Sequence, residues 1–168
     1  MASTEQDFLD KMEKHKGIIF KISKMYMDDK DDRDDLFQEI TYQVWKAYPN
    51  FKGQSEFSTW LYRIALNTAI IFLKNEKKRS FISSGPYTEY KIAHEEFNNE
   101  KEEKLNGMYK AINQLNSIDK AFIFYYLEDF SGREIAEQMG ISEGNVRVKM
   151  NRAKNKLKDI LNSDKSQY

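Results

Sequence analysis

The 168-residue sequence has no cysteine. That excludes disulfide staples and thiolate metal sites, and it fits a reducing compartment, so a cytoplasmic location is expected. Only 2 prolines and 7 glycines are present. A chain with so few breakers favours helices joined by short connections. Long hydrophobic runs are also missing. The longest notable one covers 69–73, far short of the roughly 20 apolar residues that cross a bilayer. The first residues are charged and polar, with no secretory signal. No membrane insertion is therefore expected. Net charge is lacking too, because 27 Lys and Arg balance 27 Asp and Glu.

Catalytic constellations are equally scarce. His15 and His94 have no partner nearby in sequence, no Gly-rich phosphate loop occurs, and the carboxylates fall in polar blocks instead of apolar settings. The expectation is a protein that is not an enzyme and holds neither cofactor nor metal. The run 28–35, DDKDDRDD, alternates aspartates as a calcium loop does. It lacks the glycine that such a loop needs at its sixth position, and the flanking pattern is absent.

What is present is charge arranged in blocks. Residues 28–39 and 95–103 are acidic, whereas 74–79 and 147–158 are basic. A neutral total built from polarised blocks suggests two kinds of partner, one of them anionic.

Apolar residues recur at helical spacing along most of the chain. Phe8, Met12, His15, Ile19, Ile22 and Tyr26 give a first helix over 4–26, with His15 as a packed or boundary residue. Leu36, Ile40, Val44 and Tyr48 give a second over 32–48. Asp34, Asp35, Gln38 and Glu39 project from its first turns. The stretch 49–58 breaks the pattern but contains Phe51 and Phe57, so it packs down or lines a pocket. Ser58 is placed to cap a third helix over 59–78, whose Trp60, Tyr62, Arg63 and Asn67 mix rings, a cation and an amide. Such a mixture suits single-stranded nucleic acid, with rings stacking on bases and cations following phosphates.

Residues 81–104 hold Pro86 and an acidic, polar run, and read as an interdomain linker. Beyond it, Leu105, Met108, Tyr109, Ile112 and Leu115 form one apolar face, and Ser117 is placed to cap the next helix. The stretch 131–157 reads as two helices joined by a tight turn. Ser131 and Ser142 can cap them, and Gly140 lies where the turn calls for positive φ. Ile135, Ala136, Val146 and Met150 supply the internal positions, and Arg147, Lys149, Arg152, Lys154, Lys156 and Lys158 make the second helix basic. This is the pattern of a DNA-binding helix-turn-helix. The expected fold is all-α, with two small helical domains joined by a flexible linker, the second containing the helix-turn-helix. The expected boundaries are 1–80, 81–104 and 105–168.

Two long segments then resemble the sigma-70 family of transcription initiation factors, in its two-domain extracytoplasmic-function type. Residues 34–69 carry a D-L-x-Q-E run and an F-x-G-x-S-x-F-x-T-W-L-Y-R-I-A-x-N run, and resemble the family's region 2. Residues 112–157 resemble its region 4. The resemblance implies that Asp35, Leu36, Gln38 and Glu39 dock on the clamp coiled coil of RNA polymerase. It implies that Phe51, Lys52, Gly53 and Gln54 form a pocket for a flipped −10 base, and that Trp60, Arg63 and Asn67 meet the opened strand. Asn145, Arg147, Val148, Asn151 and Arg152 would read the −35 element. The partners so implied are core RNA polymerase, promoter DNA and an anti-sigma factor. The sequence departs from the family at Leu66, where an arginine is common, and at Ile71, where an aspartate is frequent. The competing readings are a stand-alone helix-turn-helix regulator with an N-terminal sensor or dimerisation domain, and a helical adaptor without DNA contact.

Overall fold

A computed structural model describes the backbone of residues 2–82 and 100–165, and the side chains of residues 4–78 and 103–164. Most of the expected linker, with Pro86 and His94, lies outside the described residues. Among them there are only helices, in two compact units, Met1–Phe72 and Leu73–Tyr168.

In the first unit α1 (Ala2–Tyr26) packs along α2 (Lys30–Ala47). The apolar spacing determines that contact: Ile19, Ile22, Leu36, Ile40 and Val44 are each fully buried. Burying a side chain of this size contributes about 1.5–3 kcal/mol. Asp29 starts α2 by accepting from the amides of Asp31 and Asp32 at 3.1 and 3.3 Å, so part of the acidic block is a helix start. Pro49 turns the chain through a short 3-10 segment, Tyr48–Asn50, after which α3 (Phe57–Ile82) begins. Leu61, Ala65, Leu66 and Ala69 bury its inner face.

Several local expectations need correction. Ser58 lies inside α3, which already begins at Phe57, with the Trp60 amide donating to the Glu56 carbonyl at 3.2 Å. Ile71, the position where the resembled family often has an aspartate, is 60% exposed, so an isoleucine there stands in solvent.

In the second unit α4 (Glu100–Asn113) begins inside the segment read as linker, and Leu105 stands exposed instead of joining an apolar face. Asn116, not Ser117, caps α5 (Ser117–Leu127), accepting from the Asp119 amide at 2.8 Å. Ser117 falls one residue later, at the first helical position. Phe122, Phe124 and Tyr125 of α5 are buried, beneath α6 (Gly132–Met139) and α7 (Glu143–Lys165).

The α6–α7 turn follows the expected chemistry. Ser131 and Glu134 form a reciprocal capping box, with bonds of 3.1 and 3.0 Å. Gly140 ends α6 at φ 69°, ψ 35°. A methyl group there would meet no atom within 4 Å, so the demand for glycine is conformational and not one of space. Ser142 then accepts from the Asn145 amide at 3.1 Å, starting α7. Ile135, Val146, Met150 and Ala153 hold the two helices together.

Candidate nucleic-acid and docking interfaces

The first unit presents two surfaces. Along α2, Asp35, Gln38, Tyr42 and Trp45 follow one another at steps of three and four, opposite the buried Leu36, Ile40 and Val44. Asp35 and Gln38 are exposed. Glu39 lies at the edge of the stripe, half-buried, and its carboxylate accepts from the Gln43 amide at 2.9 Å. Leu36 is 0% exposed. Its expected place on the docking surface is therefore corrected: it seats the helix from below. Tyr42, 56% exposed, extends the stripe, and Trp45, 46% exposed, ends it with a ring that packs edge-on against Phe8 of α1 at 4.7 Å. Tyr42 lies four residues beyond Gln38 and Trp45 three beyond that, so helical spacing points to both although their composition does not.

The second surface is the loop between α2 and α3. Lys52, Gly53 and Gln54 are exposed, and Gly53 sits at φ 70°. Phe51 is half-buried and anchors the loop to a cluster of rings. Its centroid lies 6.2 Å from Tyr48, 5.8 Å from Phe57 and 4.9 Å from Trp60. Offset and edge-on ring pairs at such separations are mutually attractive. Trp60 is half-buried within the cluster, while Arg63 and Asn67 are exposed three and seven residues further along α3. The structure thus brings the loop residues and the α3 stripe into one neighbourhood. Leu66 is in the core at 1% exposure, so it gives the surface nothing.

His15 of α1 also touches this cluster, its ring 5.4 Å from that of Phe57. Burial lowers its pKa, with neighbouring Lys14 acting in the same direction and Glu56 opposing. No group of three or more His, Cys, Asp or Glu among the described residues could hold a metal ion.

In the second unit Asn145, Arg147, Val148, Asn151 and Arg152 are all exposed on α7. They divide into two flanks. Arg147 and Asn151 line a groove with Tyr126, Phe130 and Lys154. Arg152 lines another with Lys149, Lys156 and the start of α5 at Asn116–Asp119. Val148, 49% exposed, stands between them. Cations on both flanks of one helix suit a groove walled by two phosphate backbones. Tyr126 is a residue that the sequence reading missed. It is half exposed, with the Lys154 ammonium 3.7 Å from its ring centre. Nothing in the aromatic run of α5 distinguishes this outward ring from its buried neighbours except its place one step off the helical stripe.

Comparison with known proteins places the chain in a family. The family model for Sigma-70 region 2 matches residues 12–79, and that for Sigma-70, region 4 matches residues 106–157. The ECF RNA polymerase sigma-E factor of Escherichia coli is 32% identical over 133 residues, 71% of this chain and 69% of that protein. The sigma factor SigV of Bacillus subtilis is 27% identical over 149 residues, 83% of this chain and 81% of that protein. The ECF sigma factor SigG of Mycobacterium tuberculosis matches over only 48 residues at 46% identity, and those are 29% of this chain and 13% of its own length. Among solved structures, the sigma factor RpoE of Bartonella quintana, in complex with the anti-sigma factor NepR, has the same fold. Its TM-score is 0.73 at 21% identity, covering 95% of this chain and 99% of that one. CnrH, in complex with the cytosolic domain of CnrY, gives 0.66 at 20% identity over 95% and 90%. With regions 2 and 4 matched in order, this chain belongs to the sigma-70 family of RNA polymerase sigma factors, in its extracytoplasmic-function group.

Proposed function

We propose that this chain binds core RNA polymerase through Asp35, Gln38 and Glu39 of α2, holds a −10 base in the loop 51–54, and meets the −35 element with α7. The observation that carries this reading is the pairing of two different surfaces on one chain. One is an acidic and amide stripe beside a ring-lined loop, and the other is a basic helix in a helix-turn-helix. A partner-binding acid face has no use in a protein that meets only duplex DNA. On this reading 1–80 serves the polymerase and the −10 element, 81–104 joins the domains, and 105–168 serves the −35 element.

Within that scheme Trp60, Arg63 and Asn67 contact the opened strand, while Arg147 and Arg152, with Asn145, Val148 and Asn151, face the duplex. Capture of an unpaired base favours the melted state by differential affinity. The chain itself performs no chemistry, so it acts as an initiation factor and not as an enzyme. It works in the cytoplasm, where polymerase and promoter are. No described helix is long and apolar enough to cross a membrane. An anti-sigma factor is a further proposed partner, in keeping with the complex in which the similar Bartonella quintana factor was solved.

Runoff transcription with purified core polymerase, with and without the chain, tests the proposal. A promoter-specific transcript that requires the chain is expected. Duplex binding without polymerase, and no stimulated transcript, would favour a stand-alone regulator.

A further inference from the structure

The loop 51–54 is held from an unexpected direction. Its inner end rests on Tyr48, whose ring stacks with Phe51 and is only 8% exposed. Tyr48 in turn is tied to α1, more than a full helix upstream. Its hydroxyl donates to the Asp7 carboxylate at 2.5 Å. The Lys11 ammonium donates to the same carboxylate at 2.6 Å and to the Tyr48 oxygen at 3.3 Å. Phe8, one residue from Asp7, packs on Tyr48 with centroids 5.0 Å apart. Helix α1 therefore grips Tyr48 by a ring contact on its face and by a polar triad at its tip.

From this we infer that Asp7 and Tyr48 are positioning residues for the −10 loop, acting through the Tyr48–Phe51 ring contact and touching no DNA themselves. The inference rests on the proposed role of loop 51–54 and extends it to the N-terminal helix. The physical reason is geometric. A pocket for a single base must be held to within a fraction of an ångström. Lys52, Gly53 and Gln54 are exposed, and Phe51 is the loop side chain that enters the ring cluster. Tyr48 is one of three rings around Phe51, with Phe57 and Trp60, and its tilt sets the side of the cluster that faces α1. A ring contact alone allows sliding, whereas a hydrogen bond at the far end of the ring fixes its direction.

The test uses holoenzyme assembled from core polymerase and the full chain. Affinity is measured for a single-stranded −10 oligonucleotide and for the same strand with the captured base replaced. Tyr48→Phe keeps the ring and deletes the hydroxyl, whereas Asp7→Ala deletes the acceptor. Each is expected to weaken binding of the native strand about three- to tenfold, the range set by one net hydrogen bond. Each is also expected to reduce the preference over the altered strand, with affinity for core polymerase unchanged. The double variant should be no weaker than the weaker single one, because both remove the same link. Lys52→Ala serves as the control for the loop itself. If Lys52→Ala loses the strand while Tyr48→Phe and Asp7→Ala keep it to within about twofold, the positioning role is wrong and the loop keeps its role. If strand preference is intact and only thermal stability and core affinity fall, the triad is merely structural and the inference fails. If Lys52→Ala also leaves strand binding unchanged, the loop reading and the inference fall together.

Discussion

Lys156 reaches from α7 to Asp119 on α5, with 2.7 Å between ammonium and carboxylate. The Asp119 side chain is only 11% exposed, and the Asn116 amide donates to the same carboxylate oxygen at 2.9 Å. Lys156, although 53% exposed, is thus paired with a carboxylate of its own chain, while Arg147 and Arg152 also stand exposed on α7. The two kinds of cation should respond differently to salt. A lysine or arginine that neutralises a DNA phosphate releases a counterion, and its loss lowers the salt slope of binding by about one. Arg152→Gln is expected to do so, whereas Lys156→Gln should change the slope much less and cost at most about 1 kcal/mol of stability, because Lys156 is half exposed and the Asn116 amide still donates to Asp119. Promoter binding by holoenzyme from about 50 to 200 mM salt, with urea unfolding of the same variants, checks both. An equal slope change in the two variants would place Lys156 on the DNA as well.

The stripe and core of α2 make a second contrast. Asp35→Ala combined with Gln38→Ala removes exposed groups, so helical content and unfolding should be within about 0.5 kcal/mol of wild type, while affinity for core polymerase falls. Leu36→Ala empties a fully buried site in the same turn. It is expected to cost about 2–5 kcal/mol of stability and to reduce polymerase binding only through loss of the folded domain. Normal core affinity in the double variant would count against the docking face.

The order of helices and the identity of the turn were readable because each rests on local chemistry. Leu36, Ile40 and Val44 recur at helical spacing, Ser131 and Glu134 stand three apart, and Gly140 sits where only a left-handed residue closes the turn. The face of α2 was half readable. Asp35 and Gln38 drew notice by polarity, but Tyr42 and Trp45 on the same stripe resemble core residues by composition. Their exposure is decided by which side of α2 meets α1, a tertiary fact. The Asp7–Tyr48 bond was not readable at all, since 41 positions separate the pair. No periodicity along one helix reports a contact made across to the end of another.

The αL turn at Gly140 offers a stability test that leaves every DNA-facing side chain in place. Gly140→Ala adds a methyl group with open space around it, yet the backbone must stay at φ 69°. The expected cost is about 1–2 kcal/mol, the penalty for an L-residue in this conformation. Urea unfolding of the full chain measures it. A variant as stable as wild type would mean that the turn relaxes out of the left-handed region, and promoter affinity should then fall as α7 reorients.

His15 gives the first unit a pH dependence whose sign follows from its position. Burial against the Phe57 ring lowers its pKa below the ordinary 6.5. In the window below 6.5, the unfolded chain therefore binds more protons at this site than the folded chain does, and stability rises with pH. The contribution is fully present above the unfolded value and is lost as pH falls through the folded one. Asp7 does not confuse the measurement. Its pKa is also lowered, chiefly by the Lys11 ammonium and then by the Tyr48 hydroxyl, but from an ordinary value of 3.8, so its contribution is lost only in stronger acid. Unfolding midpoints at about pH 7.5 and 5.5 should differ in the wild type, with the lower stability at the acidic value. His15→Gln keeps a polar side chain that does not titrate in that range, and it should narrow the difference. An unchanged difference in that variant would assign the acid sensitivity to another group.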